Sequence, residues 1–205
     1  MSDNQKTLNS SIEFTGVGLH TGEGVHMVIE PAKINHGVKF QRIDLENQPV
    51  LPADINLVTD TQRSTTLEKD NVKIVTVEHL MSALYALGVN NVLIKMDSSE
   101  VPILDGSAKY FVEEIQKVGL KVQDAPLKYI DLPDPIHYTD PDSGSEILFV
   151  PANNFIISVV LDYENLALGT QYAEIRDLKD YSTEIAPCKT FVFLTELEKL
   201  AKANL

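Results

Sequence analysis

Glu78 and His79 stand side by side at the head of a run, Val77 to Leu87, in which apolar Val77, Leu80, Met81, Leu84 and Leu87 recur at helical spacing. A carboxylate can take a proton from water, and a neutral imidazole can hold a metal. A helix N-terminus carries about +0.5 charge, which favours the neutral ring. Glu78 is one residue round the helix from His79, so it could serve beside a metal-bound water without being a ligand itself. The ordinary reading is stronger on spacing alone: Glu in a first helical turn offsets the helix dipole, and a single His is most often a hydrogen-bonded surface residue. A catalytic zinc needs three protein ligands and a water. The other histidines, His20, His26, His36 and His137, form no paired-ligand spacing with a neighbour.

The remaining reactive types are less pointed. Gly16-Val17-Gly18-Leu19-His20-Thr21-Gly22 is rich in glycine, yet it lacks the G-x-G-x-x-G order and joins two strands instead of opening a helix. It reads as a hairpin bend, with His20 exposed enough to touch a ligand. His26 falls in an alternating strand and faces solvent or a polar contact. His36 before Gly37 is a turn residue, and His137 is given no role. Cys188 has no partner at a spacing that would stabilise a thiolate, which speaks against a nucleophile.

The elements that position these residues follow from period and punctuation. Ser11 to Phe14, Val25 to Ile29 and Val38 to Arg42 read as strands. Arg63 to Leu67 and Val72 to Val75 read as a hairpin turned at Asp70-Asn71. Thr76 is placed to cap the helix that follows and Gly88 to stop it. Asn91 to Met96 is a buried-type strand, and Ser107 is placed to cap a second helix reaching Val118. After Ala125-Pro126 the order restarts, with Tyr129 to Asp131 and Glu146 to Val150 as strands. Pro151-Ala152 closes the latter as Pro31-Ala32 closes the strand before it. Phe155 to Leu161 then follows as Val38 to Phe40 does, and Thr195 to Ala203 has helical composition. This order argues for an internal duplication. The class is α+β: a first domain over 1–125 and a partial second one over 126–205, whose last strand and helix are not reached by Leu205.

Composition bounds the partners. The 205 residues include 30 acidic and 17 basic ones, a formal net charge of -13, which rules out a broad electrostatic footprint for nucleic acid. No apolar run approaches the roughly 18 residues of a membrane span. The N-terminus is polar, without an apolar signal core. A single cysteine excludes an internal disulfide and fits a reducing, cytoplasmic setting.

Five segments taken together resemble one family: Gly16 to Gly22, Leu51-Pro52-Ala53-Asp54, Thr76-Val77-Glu78-His79-Leu80, Pro102-Ile103-Leu104-Asp105-Gly106-Ser107 and Lys189-Thr190-Phe191. Their combination is similar to the UDP-3-O-acyl-N-acetylglucosamine deacetylases (LpxC), zinc amidases of lipid A synthesis. The resemblance implies two similar two-layer α/β sandwich domains with the active site between them. It implies Glu78 as general base, His79 as a zinc ligand and Thr190 as the hydroxyl that stabilises the oxyanion. Phe191 and Tyr163 match substrate-contacting aromatics. The substrate implied is a UDP-sugar lipid precursor.

The same resemblance places the family's other two zinc ligands, in an H-x-x-x-D motif, and a late histidine beyond the point matching Leu205. The 205-residue chain alone is therefore expected to be inactive and to bind Zn2+ weakly or not at all, the parent protein being the enzyme. Some relatives continue into a fused hydroxyacyl-carrier-protein dehydratase domain. Two other classes stand beside the deacetylase: a non-catalytic α+β module that binds a partner through its second half, and an acidic structural domain whose Glu-His pair is helix chemistry only.

Overall fold

The computed structural model describes residues 4–163 and 166–194. It is mixed α+β and divides into two compact units: residues up to Pro126 with those from Ser182 onward, and Leu127–Tyr181 between them. Among the described residues no helix is long and apolar enough to cross a membrane.

The first unit begins with strands β1 (Asn4–Leu8), β2 (Ile12–Val17), β3 (Gly24–Pro31), β4 (Val38–Arg42) and β5 (Val50–Pro52). Then come β6 (Val58–Asp60), β7 (Thr66–Lys69), β8 (Val72–Ile74), helix α1 (Glu78–Ala86), β9 (Val92–Met96), helix α2 (Lys109–Val118) and β10 (Leu120–Pro126). The main sheet runs β2-β3-β9-β4-β5, with β4 and β9 parallel and the other pairs antiparallel. Strands β6-β7-β8 and the pair β1-β10 form smaller sheets.

Alternation builds one layer and helical spacing the other. Val25, Met27 and Ile29 of β3, Phe40 of β4 and Val92, Ile94 and Met96 of β9 point one way and are buried. Leu80, Ala83 and Leu84 of α1 and Phe111, Val112 and Ile115 of α2 supply the facing buried surface. Phe14 and Phe111 meet edge to face at 5.0 Å between centroids. A buried polar knot fastens the margin of this core. Asn91 Nδ2 donates to Gln5 Oε1 at 2.9 Å and Gln123 Oε1 at 2.7 Å, while Asn91 Oδ1 accepts the Gly37 N–H at 2.8 Å.

Two expected caps are corrected. The N-cap of α1 is Val77, with no side-chain cap bond, because the Thr76 hydroxyl is committed elsewhere. The formal N-cap of α2 is Ala108; Ser107 Oγ still accepts the Lys109 N–H at 3.2 Å from one position outside. Gly88 does stop α1: at φ 72° it lets its own N–H reach Tyr85 O at 2.9 Å and the Val89 N–H reach Leu84 O at 2.8 Å. The expected strand from Arg63 begins only at Thr66, since Arg63 is left-handed at φ 62°. The Asp70-Asn71 turn is present, with both residues at positive φ and Lys69 opposite Val72.

The second unit contains β11 (Ile136–Thr139), β12 (Glu146–Phe149), β13 (Ile157–Asp162) and β14 (Thr170–Ile175). They pair as two hairpins, β11-β12 and β13-β14. The order of hairpin, Pro-Ala and hairpin matches that of β2-β3, Pro31-Ala32 and β4-β5. The strand expected at Tyr129 to Asp131 is absent, and Ile130 there is 99% exposed. The short helix α3 (Tyr181–Glu184) follows. The helix expected over Thr195 to Ala203 lies outside the described residues.

Candidate active site

Helix α1 presents its reactive pair at its first two positions. Leu80, Ala83 and Leu84 fix the buried face, which leaves Glu78 and His79 half-buried at the mouth of the helix. Glu78 Oε2 accepts the Thr65 N–H at 3.0 Å, so the turn before β7 holds the carboxylate.

The backbone entering α1 is strained. Thr76 is buried and lies at φ 59°, a conformation that a β-branched residue adopts only when its surroundings demand it. Its Oγ1 donates to Glu100 Oε1 at 2.7 Å. Glu100 was not among the residues singled out by sequence, yet it is a fully buried carboxylate (0% exposed). It also accepts the His20 N–H at 3.1 Å, the Thr21 N–H at 2.8 Å and the Thr21 hydroxyl at 2.9 Å. Burial pushes its pKa up, and the bonds from Thr21, Thr76 and His20 outweigh that and hold it below the ordinary glutamate value.

The sign of the pH dependence follows. A depressed carboxyl contributes stability that is complete above the unfolded pKa of about 4.3 and is lost as pH falls through the lower native value. The melting-temperature gap between the wild type and Glu100→Gln should thus be widest at neutral pH and should close only as pH falls through the depressed native value. Thermal melts across pH check it; a constant gap down to acid would contradict it.

His20 differs from expectation. Both of its ring nitrogens are buried, and neither has a hydrogen-bond partner among the described residues. The main chain of the same turn bonds to Glu100 through the His20 and Thr21 N–H groups.

Thr190 and Phe191 belong to the same unit as Glu78 and His79. The exposed Thr190 is docked by its backbone, its N–H donating to Gly106 O at 2.8 Å. Gly106 sits at φ 84°, with Thr190 Cγ2 3.8 Å from where a Cβ would stand. Asp105 secures the loop, accepting from Ser107 Oγ at 2.7 Å and Ser107 N at 3.1 Å and pairing with Lys189 Nζ at 3.4 Å. Burial raises the Asp105 carboxyl, and these bonds more than reverse it. Phe191 is 59% exposed and meets Phe193 edge to face at 5.5 Å. Tyr163 lies in the second unit, just past β13, with its N–H on Gly169 O at 3.3 Å.

Residues 99–107 thus act as a tie. One end bonds to Val75 and Thr76 at the entrance to α1, through Val75 N to Ser99 O (2.8 Å), Val101 N to Val75 O (3.0 Å) and Glu100. The middle meets the glycine-rich bend through Ile103 N to Val17 O at 3.0 Å, and the far end holds Thr190. Among the described residues no three His, Cys, Asp or Glu side chains cluster so as to hold a metal ion.

The first unit thus sets a half-buried acid–imidazole pair at a helix mouth and ties the turn before it to a docked threonine. The chain belongs to the LpxC family, UDP-3-O-acyl N-acetylglycosamine deacetylase, whose model matches residues 5–205. It is 44% identical over 201 residues to the bifunctional enzyme LpxC/FabZ of Bacteroides thetaiotaomicron, covering 98% of this chain and 44% of that protein. The corresponding protein of Porphyromonas gingivalis is 42% identical with the same coverage. A UDP-3-O-acyl-N-acetylglucosamine deacetylase of Chromohalobacter salexigens is 40% identical over 98% of this chain and 67% of its own. The chain therefore spans less than half the length of the first two relatives.

Proposed function

We propose that the whole protein removes the N-acetyl group of a UDP-3-O-acyl-N-acetylglucosamine in lipid A biosynthesis, and that this chain carries its proton-transfer and oxyanion groups. The observation that supports it most is the tie of residues 99–107, which bonds at one end to the turn before Glu78-His79 and at the other to Thr190. The family membership supports the substrate.

Glu78 would take the proton from the water that attacks the acetamide carbonyl. The Thr190 hydroxyl would donate to the oxygen that becomes negative; one such donor is worth about 2.7–4 kcal/mol. Phe191 and Tyr163 would contact substrate, the exposed Phe191 ring being suited to cover an apolar group. His79 is proposed as one ligand of a catalytic zinc in the whole protein. Catalytic zinc takes three protein ligands. Among the described residues no three His, Cys, Asp or Glu side chains cluster about His79, so they do not make that site by themselves, and the steps above are confined to this chain's own groups.

The two units are proposed to be copies of one sandwich fold, on the matching order of their hairpins. The relatives named LpxC/FabZ support a second, dehydratase domain in the whole protein. A cytoplasmic setting fits the exposed, free Cys188.

The test is acetate release from UDP-3-O-acyl-N-acetylglucosamine by the whole protein, with zinc counted per chain. A chelator should abolish release and added zinc restore it. His79→Ala should lose metal and turnover together. Release that persists without metal, or at the wild-type rate in His79→Ala, overturns the reading. The 205-residue chain alone should bind zinc weakly or not at all.

A further inference from the structure

Glu100 is a fully buried side chain with four donors aimed at it, and the proposed chemistry does not use it. It lies on an isolated bridge between Val75 and Glu100, outside the named strands. Its two oxygens collect donors from two stretches far apart in sequence: the main chain of His20, the main chain and hydroxyl of Thr21, and the hydroxyl of Thr76. Every one of these donors is neutral. A buried carboxylate with no cation beside it is stable only while such donors stay aimed at it, so it fixes their places in turn. Thr76 is the consequential one. It is held left-handed two residues before Glu78 and three before His79, and such a φ persists only where neighbours over-determine it. The bend side is shaped for the same carboxylate: Gly18 leaves room that a Cβ would take from Glu100 Oε2 and Thr21 Oγ1.

We propose that Glu100 is a positioning residue, a buried acceptor that locks the left-handed entrance to α1 against the glycine-rich bend and thereby aims Glu78 and His79. It rests on the reading of those two residues as the reactive pair. Glu100 touches neither of them; it acts through Thr76. In Glu100→Gln one oxygen becomes an NH2, which either faces the N–H donors of His20 and Thr21 or takes the acceptor from Thr76, so the side chain keeps its size but can no longer accept from the bend and the helix entrance together.

Two measurements test it. In the whole protein, below its melting temperature, kcat for deacetylation in Glu100→Gln should fall about 10²-fold, the loss that a small misplacement of a reacting group produces, with KM unchanged. In the 205-residue chain, with histidine ring carbons labelled, the His79 ring signals should shift. A control separates position from mere stability. Arg42→Met breaks a part-buried pair at the end of β4, where Arg42 bonds to Asp44 at 2.8 and 2.6 Å and to Lys73 O at 3.1 Å. It should lower the melting temperature and leave the His79 signals and kcat in place.

The proposal is overturned if Glu100→Gln keeps wild-type kcat and ring signals. It is equally overturned if Arg42→Met moves those signals as far at the same loss of melting temperature. Should Glu100→Gln fail to fold, Thr76→Val decides the matter. It removes only the hydroxyl that links the carboxylate to the helix, and it should shift the same signals and lower kcat. If the wild-type whole protein shows no deacetylation, the reactive-pair reading falls separately, and the ring signals alone judge the position.

Discussion

Glu78→Gln in the whole protein should lower kcat for deacetylation by about 10²–10⁴-fold, the range for losing one general base. The substitution isolates proton transfer from everything else that Glu78 does. Glu78 Oε2 accepts the Thr65 N–H at 3.0 Å, and a glutamine carbonyl accepts that bond as well. The side chain should therefore keep its place at the head of α1. KM should change little, because the lost interaction belongs to the transition state and not to the bound substrate. Melting temperature and metal content should match the wild type. Steady-state kinetics, a thermal melt and zinc per chain together check it. A variant that turns over normally removes Glu78 as the base, and one that loses zinc would make it a ligand instead.

What the sequence made legible were features whose cause is local. The Asp70-Asn71 turn, the stop at Gly88 and the apolar period of α1 each depend on residues within a few positions of one another. The pairing of β1 with β10 was not legible. Asn4, Gln5 and Lys6 read as a polar terminus, but Gln5 and the neighbouring Thr7 are buried and bonded to Asn35, Asn91 and Ala32, partners that only the fold supplies. Thr76 shows the same conflict in one residue. Its type and place suit a helix cap, and a tertiary acceptor takes the hydroxyl instead. Of the candidate site, the Glu-His pair could be seen because its residues adjoin. Thr190 entered only by resemblance, since its tie to Gly106 is made through the backbone and leaves no mark on residue type. Glu100 carried one faint signal, a lone acid within Ser98-Ser99-Glu100-Val101-Pro102 just ahead of the Pro102–Ser107 segment. A buried carboxylate and a solvated one look alike until their donors are known.

Gly18 joins these two levels, and replacing it by alanine should be the most damaging single-methyl change in the first unit. The glycine-rich bend suggests conformational freedom as the reason for every glycine in it, yet Gly18 is not left-handed. Its reason is space. An alanine Cβ would stand 2.8 Å from Glu100 Cδ and would overlap Oε2 and Thr21 Oγ1 outright. The carboxylate is fully buried and bonded to His20, Thr21 and Thr76, so it cannot swing into solvent as a surface side chain would. Either the bend lifts away or Glu100 leaves its donors, and both outcomes strand buried polar groups. Breaking such an arrangement typically costs about 3 kcal/mol, which in a domain of this size lowers the melting temperature by roughly 10 °C. Ala at Gly24, where a Cβ would meet nothing within 4 Å, is the matched control and should melt close to the wild type. Combining Gly18→Ala with Glu100→Gln should cost less than the two losses added, because both act on one contact. Full additivity in thermal melts would mean that the space at Gly18 serves something other than the buried carboxylate.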